Sequence, residues 1–105
     1  MAYYDLRERL LRMQKPLLRD TMIPINTNSD VEIDLVQQHN ALGLDFLIVN
    51  NGTSEINVFI DNAETSIDVQ GGDSFSFSDI IYARIKIVNS SGNSLVGMIA
   101  GKKVI

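Results

Sequence analysis

The side chains that could do chemistry are few and widely spaced. His39 is the chain's one histidine and lies in the polar run Gln37-Gln38-His39-Asn40. Cysteine is absent, which removes thiolate nucleophiles, disulfides and thiolate metal ligands together. Serines are numerous, yet none stands in the Gly-x-Ser-x-Gly elbow that would aim a nucleophile at a base. Zinc needs several His or Cys ligands, which the chain cannot supply. Asp30, Glu32 and Asp34 offer the oxygen ligands that calcium takes. At period two on one strand, however, they spread about 7 Å apart instead of converging. Asp61-Asn62-Ala63-Glu64 and Gly71-Gly72-Asp73 read as turns, and Gly71-Gly72 precedes a strand, whereas phosphate cradles open a helix. Tyr82, Arg84 and Lys86 put an aromatic and two cations on one strand face. That is the outline of a stacking platform for single-stranded nucleic acid, though in an acidic chain an ordinary exposed face is the plainer reading. No catalytic, cofactor-binding or metal-binding residue is expected, and the chain does not read as an enzyme.

Charge is distributed unevenly. Residues 1–20 hold five cations against three carboxylates, a net of +2, and residues 21–105 hold four cations against ten carboxylates, a net of −6. An acidic body repels a phosphate backbone, so nucleic acid is not the expected partner; the basic end suits an acidic protein surface. No apolar run approaches the roughly 18 residues that a membrane span needs, and Asp5, Arg7, Glu8 and Arg9 interrupt any signal-peptide core. No membrane partner is expected, and synthesis in the cytoplasm is. Asn51-Gly52-Thr53 and Asn89-Ser90-Ser91 match the glycosylation pattern but read as turns in such a chain.

The elements that must position these residues are mostly strands. With 105 residues, 45% apolar and 21% charged, the chain is expected to fold as one globular unit. Two parts are expected: a helical arm over 1–20 and a β-sandwich domain over 21–105. Asp5-Leu6-Arg7-Glu8 has the form of a capping box, and Pro16 ends the helix that follows from about Leu6 to Lys15. Tyr3, Leu6, Leu10, Met13 and Leu17 recur at intervals of three and four, which draws one apolar stripe. With Arg7, Arg9, Arg12 and Arg19 these residues form the candidate partner interface, either an attachment arm or a helix closing its own subunit.

Beyond the arm, Pro24 places Met22–Ile25 at a sheet edge, and Asp30–Leu35 alternates cleanly. Gln37–Asn40 reads as a loop. Leu44–Val49 and Glu55–Asp61 flank Asn50-Asn51-Gly52-Thr53-Ser54, a hairpin signal because tight turns need positive φ. Thr65–Val69, Asp73–Ser78 and a long strand from Ile80 to Val88 follow, and Asn89–Asn93 turns into a last strand from Ser94. Seven or eight short strands argue a single antiparallel sandwich. Leu47 and Val49 lie opposite Phe46 and Ile48, and Val96 and Met98 opposite Leu95 and Ile99. A two-sheet sandwich needs one apolar face per sheet, so this surplus must be covered by the helix, a neighbour or both, and a homo-oligomer is expected.

Val49-Asn50-Asn51-Gly52-Thr53-Ser54-Glu55-Ile56-Asn57-Val58 begins a familiar pattern. With Ile67–Phe77, Tyr82–Ile87 and a last hairpin at Asn89–Val96, it resembles small β-sandwich virion proteins of tailed bacteriophages. The resemblance covers about residues 44–100 and excludes the basic segment. It implies a mostly β, jelly-roll-like sandwich, to which the capping box and apolar stripe of the first residues add a short N-terminal helix. It also implies a virion location, a structural role in capsid decoration or capsid association, other virion proteins such as the major capsid protein as partners, and a trimer. A tail or neck component, or a carbohydrate- or ligand-binding module, is the alternative.

Overall fold

The computed structural model describes residues 18–104. The expected helix, and with it Tyr3, Leu6, Arg7, Arg9, Leu10, Arg12, Met13 and Leu17, lies outside the described residues. The described chain is mostly β, with strands β1 (Thr21–Thr27), β2 (Val31–Asp34), β3 (Ala41–Asn50) and β4 (Ile56–Ile60), then β5 (Ile67–Val69), β6 (Ser74–Phe77), β7 (Arg84–Val88) and β8 (Leu95–Lys103). They make two four-stranded antiparallel sheets, ordered β1-β8-β3-β6 and β2-β7-β4-β5.

Strict alternation is what builds the core between the sheets. Phe46 and Ile48 of β3, Leu95 and Ile99 of β8, Ile56 and Val58 of β4, and Ile85 and Ile87 of β7 are all buried in one cluster. Each such side chain contributes on the order of 1.5–3 kcal/mol by leaving water. Phe46, Phe75, Phe77 and Tyr82 meet with ring centroids 5.3–6.5 Å apart, mostly tilted or edge-on. Pro24 lies on β1, which among the described residues is an edge strand paired with β8 alone, as a missing amide favours.

Four expectations are corrected. Gln37–His39 is not loop but the body of a short helix, α1 (Leu35–His39). The Asp34 carboxylate caps it by accepting from the Gln37 amide at 3.1 Å, and Asn40 closes it in the left-handed conformation. The turns at Asn50–Ser54 and Asn89–Asn93 are not hairpins, because each carries the chain from one sheet to the other. Neither Asn51 nor Gly52 has the positive φ that a tight hairpin demands. Side chains hold these crossings instead. Asn50 donates to Ser54 O and Val69 O and accepts from Gly52 N, while Asn93 donates to Ser54 O and Asn89 donates to Asn93 O. Gly52 is needed for space, since a Cβ there would come within 2.1 Å of Asn93 Cγ.

The strand expected over Thr65–Val69 covers only Ile67–Val69. The long strand expected from Ile80 to Val88 covers only Arg84–Val88, and β3, with ten residues, is the longest. The break is caused by Tyr82, which turns inward and lies flat on Gly43. The two residues exchange backbone hydrogen bonds of 2.8 and 3.1 Å, and the Tyr82 hydroxyl donates to Asp45 O at 2.7 Å. Only glycine permits this, because a Cβ at position 43 would sit 2.2 Å from the Tyr82 ring.

Candidate functional site

The inversion of Tyr82 dissolves one candidate site. Tyr82 is fully buried, and only Arg84 and Lys86 remain on the exposed side of β7. No aromatic–cation platform forms on that strand. Burial, with Asp45 and Asp61 nearby, pushes the Tyr82 phenol well above its ordinary value.

Arg84 and Lys86 contribute to a different surface, the outer face of the β2-β7-β4-β5 sheet. Register sets Glu32, Lys86 and Phe59 in one row across it, and Asp34 beside Arg84 in the next. α1 on one flank and the β4–β5 turn on the other complete an open trough of about 680 Å³, lined by Glu32, Gln37, Phe59, Asn62, Arg84 and Lys86 among others. Much of the polar surface on this side is already paired within the chain. Arg84 donates to Asp34 at 3.0 Å and to Asn62 at 3.2 Å, and Asn57 bridges Glu55 and Asp68. Bonds from Ser66 and Asn57 hold the Asp68 carboxyl below the usual range. The Lys86 ammonium sits 6.0 Å from the Phe59 ring centroid.

The carboxylates weighed as a cation site are separately engaged. Asp30 accepts from the Asn89 amide at 2.7 Å, and Asp34 serves α1 and Arg84. Among the described residues no group of three acidic or histidine side chains could share an ion. His39 lies in the last turn of α1, half exposed.

The outer face of the β1-β8-β3-β6 sheet has the opposite character. Register lays it out in rows: Met22, Ala100 and Asp45; then Pro24, Met98, Leu47 and Ser76; then Asn26, Val96, Val49 and Ser74. Met22 is 58% exposed, Val96 45% and Leu47 41%, and the only charge in these rows is Asp45. The surplus apolar phase of β3 and β8 therefore does face outward. Met22 and Pro24 extend it onto β1, and their alternation with Ile23 and Ile25 was the signal available in the sequence.

Of the candidate partner residues, Arg19 alone is described, and it is not a free surface cation. Its guanidinium donates twice to the Asp45 carboxylate, at 2.8 and 2.9 Å, and also to Asp79. Asp79 N donates to Asp45 as well, at 3.1 Å. Arg19 holds the Asp45 carboxyl below the usual range, and its own pKa is raised in return. Asp20 accepts from Lys103 N at 2.7 Å and lies 3.7 Å from the Lys102 ammonium. The entry into β1 is thus fixed to β3 and β8 by charge.

No family model matches the chain, and no curated protein does. Among solved structures it is similar to a de novo designed double-stranded β-helix, with a TM-score of 0.43 and 18% identity over 81% of this chain and 100% of that one. It is also similar to a cupin-2 domain containing protein from Shewanella frigidimarina, with a TM-score of 0.44 and 7% identity over 97% and 95% of the two chains. A third similar structure is a protein of Neisseria meningitidis, with a TM-score of 0.39 and 12% identity over 91% and 96%. No function is carried over from any of them.

Proposed function

We propose that this chain is a non-catalytic structural protein of a tailed-phage virion, a capsid decoration or cement protein that works by holding to other virion proteins. The observation that carries the reading is the contrast between the two outer faces. One is polar and largely paired within itself, while the other exposes Met22, Leu47 and Val96 on a nearly uncharged surface. Apolar area of that kind gains free energy when covered, so the protein is suited to work in contact. The basic residues of 1–20 would favour an acidic surface on the partner. In fold the chain is read as a jelly-roll-like sandwich. The nesting of β1 with β8, β3 with β6, β2 with β7 and β4 with β5 supports this.

The test is recovery from particles. Gradient-purified particles from a culture producing this chain, digested and quantified by mass spectrometry, are expected to contain it at a fixed ratio to the major capsid protein. Recovery only in the particle-free fraction overturns the reading.

A second reading, a carbohydrate-binding module, is favoured by the trough, where the Phe59 ring is flanked by carboxylate and amide groups. A saturable hit on a glycan array, abolished by Phe59→Ala, would establish it in place of the first.

A further inference from the structure

Each sheet has two outer strands, and three of these four are blunted against pairing. β1 carries Pro24, β2 carries Glu32 and Asp34, and β5 is three residues long with Asp68 at its centre. β6, Ser74-Phe75-Ser76-Phe77, has neither proline nor charge, and among the described residues it pairs with β3 alone. The ladder shows which of its polar groups are left over. Asn50 N donates to Asp73 O at 2.9 Å, and opposite residues of an antiparallel pair alternate between bonded and unbonded. Ile48–Phe75 and Phe46–Phe77 are therefore the bonded pairs. The amides and carbonyls of Ser74 and Ser76 point away from β3, to the open edge.

Beside this edge the two sheets part. Between β5 and β6 lies an open cleft of about 270 Å³, lined by Ile67, Val69, Phe75, Asp68 and Asp73 among others. Phe75 packs toward the core, so a strand laid along β6 would turn alternate side chains to that same side, over the cleft. Among the described residues, both charges lining the cleft are carboxylates. Residues 21–105 as a whole carry a net −6, so a second copy is repelled here and a segment bearing Lys or Arg is attracted.

We propose that the free edge of β6 docks an extended segment of a partner protein, added to the sheet as a fifth strand with apolar side chains over the cleft and cations at its ends. Strand addition takes its affinity from main-chain hydrogen bonds and its specificity from pockets for alternate side chains, and this edge offers both. Ser74 and Ser76 stand in the same rows as Val49, Val96, Leu47 and Met98. The grip thus adjoins the apolar outer face and enlarges the contact open to one partner. The inference rests on the proposed function only for the source of such a segment.

The probe is the synthetic peptide acetyl-Lys-Val-Thr-Val-Thr-Val-Lys-amide, titrated to millimolar concentration into the isotope-enriched full chain. Saturable shifts of the Ser74 and Ser76 amides and of the Ile67 and Val69 methyls are the expected result. Glutamate in place of the two lysines should weaken binding several-fold. Ser76→Pro removes an outward amide and no bond to β3, so it should abolish binding, while Ser76→Ala should keep it. Should the proline variant unfold, N-methylation of alternate peptide amides reads the same contact on the native protein: one set abolishes binding and the other does not. No saturable shift, shifts centred on Phe59 instead, or equal binding of the lysine and glutamate peptides overturns the proposal. So does concentration-dependent broadening of β6 without peptide, which would assign the edge to a second copy. Failure here with the chain present in particles leaves the virion reading standing, and binding here with the chain absent from particles leaves this one.

Discussion

The Arg19–Asp45 pair is the charge contact that fixes where the chain enters the fold, and Asp45→Asn tests it with little change of shape. The native carboxylate accepts two hydrogen bonds from Arg19 and one from Asp79 N. Side-chain exposures of 24% and 28% put the pair between a surface bridge and a buried one. Shielded hydrogen bonds to charged groups contribute about 1.5–3 kcal/mol and exposed pairs about 0–1, so a loss of about 1–2 kcal/mol is expected. For a domain of this size that corresponds to a fall of roughly 5–10 °C in Tm. The dependence on pH is the sharper part. Arg19 holds the Asp45 carboxyl below its ordinary 3.8, while the unfolded chain titrates it near that value. Folded protein thus binds this proton more weakly than unfolded protein does. The stabilisation is complete above about pH 4 and fades as pH falls through the lower native value. Urea denaturation of both proteins at neutral pH and at about pH 2.5 should show the gap between them closing in acid. A gap of the same size at both values, or none at neutral pH, would refute the reasoning.

Three further outcomes are expected. Gly43→Ala forces a methyl against a Tyr82 ring that cannot retreat, so it should cost at least about 1–3 kcal/mol by urea denaturation, part of it recovered on adding Tyr82→Leu. Asn50→Ala strips the buried Val69 carbonyl of a donor and leaves the part-buried Ser54 carbonyl with Asn93 alone, so it should cost about 1–3 kcal/mol, with hydrogen exchange rising first in residues 51–55. Ultraviolet titration should show the Tyr82 phenolate appearing only above its ordinary 10.0; since its folded value is raised, stability is intact below that pH and is lost as pH rises beyond it.

Where alternation was uninterrupted, the sequence was legible. The phases of β2, β3 and β8 and the edge position of Pro24 follow from period two and from a missing amide. The outward apolar phase of Leu47 and Val96 was equally plain, because it is a property of the strand and not of its partners. The misreadings share a different cause. Asn51-Gly52 looked like a hairpin because a turn's residues do not say which sheet the next strand joins; Asn50 and Asn93 decide that by binding chain segments far away in sequence. Tyr82 kept step with Arg84 and Lys86, and nothing local indicated that Gly43, nearly forty residues earlier, had left a ring-sized space for it. The α1 turn was more accessible, since Asp34 stands three residues before Gln37, the spacing of a side-chain cap.

The same distinction between local and distant partners separates the two outer faces as places to dock. On the β2-β7-β4-β5 sheet, a new hydrogen bond to Asp34, Asn57 or Asp68 must replace one already made, so the net gain is small. On the β1-β8-β3-β6 sheet nothing has to be given up. Met22, Leu47 and Val96 lose only contact with water when something settles on them, and the one carboxylate in those rows is already neutralised by Arg19. An apolar surface does not discriminate between occupants by chemistry, so selection falls to proximity and fit. A face three strands wide buries too little to hold another folded body by itself, so a partner that covers it must also grip a neighbouring surface of the domain.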